Sequence, residues 1–250
     1  MKAMILAAGL GTRLRPLTND RPKALVEVAG RTLLEIALSR LRTFGVSEVI
    51  VNTHHYAEMM REYLHANRDF DMRIEVSNEE DLLDTGGGLK KAAWFFLEDG
   101  DNSQAPFILH NVDVLSRIDL GRMLQTHTEQ DALATLAVQD RETSRYLLFD
   151  EGGELCGRKA GHDGHAEMAR VAQATLALAF SGIHVLSPRI FGIMKEAGAF
   201  SIISSYLSLA ARGERIVAFR ADQYYWRDVG RPESVLQAGE DVRSGLYPLD

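Results

Sequence analysis

Short apolar runs alternate with amphipathic segments through the first half of the chain. Apolar residues recur every three or four positions in residues 32–44, where Leu34, Ala37, Leu38 and Leu41 would share one face of a helix. The whole pattern predicts strands at residues 3–8, 49–53, 73–77 and 107–112, and helices at residues 32–44, 56–67 and 88–97. Strands that alternate with helices indicate a largely parallel α/β sheet covered on both faces, with ligands bound beyond the carboxyl ends of its strands.

The pattern changes in the second half, where predicted strands follow one another through short turns. The strands expected there are residues 132–140, 145–150, 177–184 and 216–220, and the helices are residues 190–197, residues 202–212 and a final helix that begins near Pro232. Residues 157–169 are polar and contain glycine, which predicts a mobile loop. The second half is therefore expected to be richer in strands than the first.

Composition limits the classes of protein to which this chain can belong. Its 250 residues are 46% hydrophobic and no Pro- or Ser-rich linker divides them, which predicts a single domain over residues 1–250. The net charge of −7 argues against a nucleic acid or an anionic membrane as a partner. Cys156 has no second cysteine with which to form a disulfide, which suits a reducing compartment. No apolar run reaches the ~18 residues of a membrane span. The first predicted strand begins too early to leave room for a signal peptide. We therefore expect a cytoplasmic protein.

A glycine-rich turn follows directly on the first predicted strand. From residue 7 to residue 18 its sequence is AAGLGTRLRPLT, and the segment Arg21-Pro22-Lys23 comes shortly after it. Gly9 and Gly11 allow positive φ angles and a close backbone approach, so that backbone N–H groups can surround an anion. Arg13 offers a planar fork of donors to phosphate oxygens, and Lys23 offers a compact positive charge. These residue types predict a cradle for a triphosphate.

Two common glycine loops do not fit this turn. A dinucleotide-binding loop requires a third glycine where this chain has Leu14, and a P-loop requires Gly-Lys followed by Ser or Thr. The remaining pattern, LAAGxGTRLxPLT and then PK, resembles the signature of sugar-1-phosphate nucleotidyltransferases, which join an NTP to a sugar 1-phosphate and release pyrophosphate. An ordinary strand–turn–helix would also use glycines here, but it would not require Arg13 and Lys23 together.

The resemblance spans residues 3 to about 240 and implies a Rossmann-like nucleotidyltransferase fold. That fold has a mixed, mostly parallel central sheet flanked by helices and a smaller, β-rich sugar-binding portion. Residues 1 to about 130 would form the nucleotide-binding half, and residues from about 131 to 250 the sugar-phosphate-binding half. The nucleotide contacts that the resemblance implies in this region are Ala8, Gly9, Gly11, Thr12, Arg13 and Lys23.

Two aspartates are candidate magnesium ligands. Asp113 follows a buried strand in an N-x-D context, and Asp228 lies in a W-x-D-x-G-x-P-E context. In the resembled family, aspartates in these two contexts hold Mg²⁺ jointly, and Asn111 matches the position that reaches the sugar phosphate or the sugar hydroxyls. Either aspartate alone is equally well explained as a helix cap or a turn former. The resemblance therefore implies a catalytic set of Arg13, Lys23, Asp113 and Asp228, with Mg²⁺ as the cofactor.

A second glycine run, Thr85-Gly86-Gly87-Gly88, bears on the nucleobase and is expected in a loop before the third helix. In the family such a loop lies against the nucleobase, which assigns Gly87 and Gly88 to nucleotide binding, although a helix start alone would also explain glycine here. The TGGG form resembles N-acetylmuramic acid 1-phosphate uridylyltransferases and favours UTP with that sugar phosphate. The alternatives are guanylyl transfer to a mannose or heptose phosphate, cytidylyl transfer to a phosphorylated alcohol or choline, and a catalytically silent nucleotide-sugar sensor.

The sugar end of the site departs from the family pattern. The segment Gly157-Arg158-Lys159 stands where relatives have Glu-Lys-Pro, so Arg158 or Lys159 is a candidate contact to the sugar phosphate, and a solvated surface charge is an equal alternative. Gly182 matches the family glycine that faces the sugar. The expected partners are therefore an NTP and a sugar 1-phosphate, with no nucleic acid and no membrane, and the chain is expected to act as a monomer or a homo-oligomer.

Overall fold

A ten-stranded sheet runs through the computed structural model, which describes residues 1–98, 100, 104–161 and 164–249. In chain order the strands and helices are β1 (Lys2–Leu6), β2 (Glu27–Val28), β3 (Arg31–Thr32), α1 (Leu33–Thr43), β4 (Glu48–Thr53), α2 (Ala57–Ala66), β5 (Arg73–Asn78), α3 (Asp84–Lys91), α4 (Ala93–Leu97), β6 (Phe107–Asn111), β7 (Val114–Ser116), α5 (Leu120–Glu129), β8 (Ala134–Gln139), β9 (Arg145–Phe149), β10 (Leu155–Ala160), β11 (Ala166–Met168), β12 (Leu176–Leu186), α6 (Ile190–Ile193), α7 (Ile202–Ala211), β13 (Ile216–Arg220), β14 (Trp226–Asp228) and α8 (Pro232–Arg243). None of the helices in these ranges is long and apolar enough to cross a membrane.

The sheet has a parallel part and an antiparallel part. Its strand order is β11-β10-β9-β12-β6-β1-β4-β5, and β8 pairs with both β12 and β13. Strands β6, β1, β4 and β5 pair in parallel, as do β8 and β13, whereas β12 pairs antiparallel with β6, β8 and β9. Because β6, β1, β4 and β5 run in the same direction, their carboxyl ends lie at one edge of the sheet.

The parallel strands are apolar because both faces of the sheet are covered. Met4 and Ile5 of β1 are both fully buried, yet they belong to two different apolar clusters, since successive side chains of a strand point to opposite faces. Helix α1 covers one of these faces and begins where the Thr32 hydroxyl oxygen accepts a hydrogen bond from the Glu35 N–H at 3.1 Å. Helix and strand periodicity therefore both follow from the same pattern of burial.

The predicted α/β class, with a central mostly parallel sheet flanked by helices, is confirmed. Each of the eight strands predicted from the sequence is present within two residues of its expected bounds. The elements that were not predicted are the short strands β2, β3, β7, β11 and β14, the longer strand β10 and helix α5. Strands of two or three residues are too short to show an alternating pattern of their own.

The prediction of a mobile loop at residues 157–169 is wrong. Strands β10 and β11 form an antiparallel hairpin there, with Arg158 opposite Glu167, and residues 162–163 lie outside the described residues. β11 is an end strand of the sheet and all of its residues are exposed, so a polar sequence is compatible with strand pairing at this place.

Two helix predictions also need correction. The third helix begins at Asp84 rather than at residue 88, so the whole glycine run lies inside α3 instead of in a loop before the helix, and a break at Ala92 separates α3 from α4. The helix predicted at residues 190–197 ends at Ile193, because Met194 has an extended backbone. In α3, packing against neighbouring segments outweighs the low helix propensity of glycine.

Candidate active site

The glycine-rich turn and the N-x-D segment lie at the same edge of the sheet. Strands β1 and β6 pair in parallel, with Leu6 opposite Asn111, so the residues that follow the two strands emerge side by side. A hydrogen bond from the Val112 N–H to the Leu6 carbonyl (3.1 Å) continues this pairing past the strand ends. The turn that contains Gly9 therefore lies next to the segment that contains Asp113.

A two-stranded ladder brings Asp228 to the same place. Strands β7 and β14 pair antiparallel, with Asp228 opposite Val114. The Val229 N–H donates to the Asp113 carbonyl at 2.8 Å, just beyond the paired residues. Asp113 and Asp228 are therefore neighbours across this ladder although they are distant in sequence.

The two aspartates and Arg13 converge on Gly230. A methyl group built on the Gly230 α-carbon would lie 2.7 Å from Asp228 Oδ1, 3.1 Å from Arg13 Nη2 and 3.4 Å from Asp113 Oδ2. The Gly230 N–H donates to Asp228 Oδ1 at 2.6 Å, and the Lys23 ammonium forms an ion pair with Asp113 Oδ2. Three of the four residues predicted as the catalytic set thus meet beside one buried glycine, and Lys23 joins them through its ion pair with Asp113.

The donor set at this point fits a hard divalent cation. Asp113 Oδ2 and Asp228 Oδ1 both lie beside Gly230, and Mg²⁺ prefers oxygen ligands. Among the residues that the structure describes, no group of three or more His, Cys, Asp or Glu side chains is arranged to hold a metal. A cation held by these two carboxylates would therefore take its other ligands from water and substrate phosphates, as is usual for Mg²⁺ in nucleotide-dependent enzymes.

The turn after β1 is open to solvent on the side where an anion would approach. The nucleotide contacts predicted in it comprise a buried Ala8, a half-buried Gly11 and the exposed residues Gly9, Thr12 and Arg13. The Gly11 carbonyl accepts hydrogen bonds from Thr18 Oγ1 at 2.8 Å and from the Leu14 N–H at 2.9 Å, which folds the turn back on itself. Gly11 has a φ of +64°, and a side chain there would lie 3.0 Å from Thr18 Cγ2. The positive φ favours glycine at this position, and the space for a side chain is tight.

A cavity of about 900 Å³ opens beside the residues that converge on Gly230. The predicted site residues in its walls are Arg13, Asn111, Asp113, Arg158, Gly182 and Asp228. Gly182 has a φ of +75°, and a side chain on it would lie 2.8 Å from Asn111 Nδ2. Arg158 is ion-paired with Glu167, and the distance from Arg158 Nε to Glu167 Oε2 is 2.7 Å. The cavity volume of about 900 Å³ is typical of a small-molecule site.

Gly87 and Gly88 are buried in α3 and are not among the residues that line this cavity. A side chain on Gly88 would lie 2.6 Å from Glu79 Oε1 and 2.7 Å from Asn52 Nδ2, two buried groups that hydrogen-bond to each other at 2.7 Å. A side chain on Gly87 would collide with the backbone carbonyl of Gly198. Packing accounts for both glycines, and their contact with a nucleobase stays a prediction.

Arg141 and Trp226 line the cavity but are not among the predicted site residues. The guanidinium carbon of Arg141 lies 3.8 Å from the centre of the Trp226 ring, and Arg141 Nη2 donates to the Phe180 carbonyl at 2.8 Å. Burial lowers the pKa of the Arg141 guanidinium, and the negative charge of Asp228 acts in the opposite direction. The only sign of Arg141 in the sequence is an arginine shortly after a buried strand, and such an arginine cannot be distinguished from an ordinary charged residue in a loop.

The chain is similar to known nucleotidyltransferases. Residues 2–155 match the family model described as nucleotidyl transferase. The chain is 33% identical over 245 residues to the N-acetylmuramate alpha-1-phosphate uridylyltransferase of Caulobacter vibrioides, with 94% of each chain covered. It is 36% identical over 254 residues to mannose-1-phosphate guanylyltransferase 1 of Arabidopsis thaliana, with 94% of this chain and 63% of that protein covered.

The fold also matches a solved structure. The crystal structure of HddC from Yersinia pseudotuberculosis complexed with GMP-PN superposes with a TM-score of 0.74 at 22% identity, covering 96% of this chain and 98% of HddC. At this identity the likeness concerns the fold alone. Because the family model matches more than half of the chain and the Caulobacter relative is similar over nearly its whole length, this protein belongs to the sugar-1-phosphate nucleotidyltransferase family of enzymes.

Proposed function

We propose that this chain acts as a single domain that transfers the uridylyl group of UTP to N-acetylmuramic acid 1-phosphate, with Mg²⁺, giving the UDP-sugar and pyrophosphate. The observation that carries the proposal is the meeting of Arg13, Asp113 and Asp228 beside Gly230, with Lys23 paired to Asp113. Transfer between two polyanions requires carboxylates for a divalent cation and positive charges for the phosphates. This cluster supplies both.

The proposed reaction needs positioning and charge neutralisation rather than a nucleophilic side chain. A phosphate oxygen of the sugar 1-phosphate attacks the α-phosphorus of UTP in line, the bond to the bridging oxygen breaks, and pyrophosphate leaves. Because the attacking phosphate is already anionic, no side chain has to remove a proton from it. Arg13 would hold the leaving phosphates, and Lys23 would offset charge around the α-phosphate. Asn111 would contact the sugar.

Asp113 and Asp228 are the residues that would hold Mg²⁺, which when bound supplies charge neutralisation between the two phosphate groups. Both carboxylates are already oriented by neighbours. The Gly230 N–H fixes the carboxylate of Asp228, and the Lys23 ammonium fixes that of Asp113. Little reorganisation of these groups is therefore required during the reaction.

The choice of UTP and N-acetylmuramic acid 1-phosphate is supported by the Caulobacter relative, because the similarity covers 94% of both chains. The cavity also suits a sugar that carries a carboxylate in addition to its phosphate, since its walls include the cationic side chains Arg141, Arg145, Arg158 and Lys159. Guanylyl transfer to mannose 1-phosphate is the second candidate, and the 36% identity to the Arabidopsis protein favours it.

A substrate panel tests the proposal. The enzyme is combined with UTP, GTP, CTP or dTTP and with N-acetylmuramic acid 1-phosphate, glucose 1-phosphate or mannose 1-phosphate, and pyrophosphate release is measured with and without Mg²⁺. We expect the highest kcat/KM for UTP with N-acetylmuramic acid 1-phosphate and loss of turnover when EDTA is added. A higher kcat/KM for GTP with mannose 1-phosphate would establish the second candidate. Binding of nucleotide sugars without pyrophosphate release anywhere in the panel would contradict both.

A further inference from the structure

We propose that Arg141 is the residue that binds the phosphate of the sugar 1-phosphate, a role that the sequence pattern suggests for Arg158 or Lys159. The inference rests on the proposed function, because it takes a sugar 1-phosphate as the acceptor. Arg141 lies just after β8, and its side chain lines the cavity beside Asp228. Three features of its surroundings support this role.

The first feature is that Arg141 is held in place and that no carboxylate neutralises its charge. Its guanidinium carbon lies 3.8 Å from the centre of the Trp226 ring, and Nη2 donates to the Phe180 carbonyl at 2.8 Å. Trp226 is itself fixed, because its Nε1 donates to the Ser181 carbonyl at 2.7 Å. Within the described part of the chain, no carboxylate is ion-paired with Arg141, and its buried Nε has no hydrogen-bond partner. The guanidinium is therefore a fixed, flat cation whose charge no ion pair neutralises.

The second feature is the position of Arg141 relative to the aspartates. Trp226 and Asp228 are two residues apart on β14, so their side chains leave the same face of that strand, and both line the cavity. Side chains spaced in this way start roughly 7 Å apart. A phosphate group beside the Asp228 carboxylate would therefore be within reach of a guanidinium that lies on the Trp226 ring. The acceptor phosphate has to occupy this place if it attacks next to Asp113 and Asp228.

The third feature is that the other cations near the sugar end are less suitable. Arg158 is ion-paired with Glu167 at 2.7 Å, and its side chain is 42% exposed. Lys159 carries a point charge without a planar fork of donors. Arg145 is exposed to solvent. A bidentate contact to phosphate requires a flat and fixed guanidinium, and Arg141 combines these properties.

Steady-state kinetics of Arg141→Gln test the inference. Loss of a charge-assisted, bidentate contact should raise the KM for the sugar 1-phosphate about ten- to a hundredfold and leave the KM for the NTP within about twofold. Arg158→Gln should raise the sugar KM less than Arg141→Gln does. The control for loss of an arginine is Arg189→Gln, at a surface residue paired with Glu214 at 2.7 Å. An unchanged sugar KM in Arg141→Gln, or a larger rise in Arg158→Gln, would overturn the proposal.

A second variant keeps the test decisive if Arg141→Gln does not fold. Arg141→Lys retains the positive charge but loses the planar fork, and it should raise the sugar KM about three- to tenfold at an unchanged NTP KM. A sugar KM equal to that of the parent enzyme in Arg141→Lys would count against the inference.

Fluorescence separates this inference from the proposed function. The chain has two tryptophans, so in a Trp94→Phe background the signal comes from Trp226, on which Arg141 lies. N-acetylmuramic acid 1-phosphate and inorganic phosphate are titrated in the presence of a UTP analogue with an α,β-methylene bridge. A saturable change that Arg141→Lys weakens supports the inference even if the substrate panel gives no turnover. An equal fluorescence response with and without Arg141→Lys, or no response in the protein that retains Arg141, overturns the inference.

Discussion

Replacement of Gly230 by alanine tests whether activity depends on the convergence of Arg13, Asp113 and Asp228. Gly230 is buried, and its φ does not lie in the left-handed region, so the backbone itself accepts alanine. The added methyl group would lie 2.7 Å from Asp228 Oδ1, 3.1 Å from Arg13 Nη2 and 3.4 Å from Asp113 Oδ2. The substitution therefore overlaps with Asp228 most and with Arg13 less, makes only an ordinary contact with Asp113, and removes none of the three side chains.

The size of the effect follows from these distances. An ordinary van der Waals contact to a methyl carbon begins near 3.4 Å, so the overlap with Asp228 Oδ1 is about 0.7 Å. Movement of this carboxylate oxygen away from the methyl group disturbs its 2.6 Å hydrogen bond to the Gly230 N–H. A displacement of about 1 Å in a reacting constellation costs on the order of a hundredfold in rate. We expect kcat/KM to fall about 30- to 100-fold, which corresponds to about 2–3 kcal/mol of transition-state stabilisation.

The assay is pyrophosphate release over a range of Mg²⁺ concentrations, with thermal unfolding measured in parallel. The half-saturating Mg²⁺ concentration should rise in Gly230→Ala, because the methyl group displaces an Asp228 oxygen. The matched control is Gly192→Ala, since no atom lies within 4 Å of the methyl position at this helical glycine. It should keep the parental kcat/KM. A Gly230→Ala enzyme with parental kcat/KM and parental Mg²⁺ response would refute the reasoning.

Three further predictions follow from the structure. Asp113→Asn removes the ion pair with Lys23 and one charged oxygen ligand, and we expect kcat/KM for pyrophosphate release to fall about a hundredfold or more, whereas near-parental turnover with Mg²⁺ would contradict the assignment. Burial lowers the pKa of His127 to about 4, so the folded protein keeps this ring neutral while the unfolded chain gains a proton below pH 6.5. The free energy of unfolding should therefore fall as the pH drops from 6.5 towards 4, and His127→Gln should flatten that slope by up to about 1.4 kcal/mol per pH unit in urea titrations; an unchanged slope would contradict the cause. Gly88→Ala places a methyl group 2.6 Å from the buried Glu79 carboxylate and should lower the free energy of unfolding by about 1–3 kcal/mol, which a parental urea midpoint would disprove.

Eight of the ten strands of the large sheet could be predicted from the sequence because their signal is local. The strand predicted at residues 107–112 opens with three apolar residues that must be buried on both faces, and the strand Phe107–Asn111 occupies almost the same residues. Thr32 before an amphipathic stretch marks the start of α1 in the same way. In each case neighbouring residues carry enough information to specify the element.

The glycine run of α3 could not be predicted because its conformation depends on distant residues. The N–H groups of Gly86 and Gly87 donate to the Phe200 carbonyl at 2.9 and 3.3 Å, and a side chain on Gly86 would collide with the Phe200 ring. A close approach of α3 to the segment that precedes α7 therefore requires glycine inside a helix, where propensity alone disfavours it. Sequence spacing contains no sign of this contact.

The sequence by itself determined the α/β class and eight of the ten strands of the large sheet, because periodicity is a local property of the chain. Its motifs, through their resemblance to the family, also pointed to Arg13, Lys23, Asp113 and Asp228 as candidates. Only the tertiary structure decided that Arg13, Asp113 and Asp228 meet beside Gly230, with Lys23 paired to Asp113. Their meeting depends on the pairing of two three-residue strands, β7 and β14, which are too short to show a period and are far apart in sequence. The same ladder positions Trp226, and through it Arg141, because a non-local pairing fixes every side chain along both of its strands.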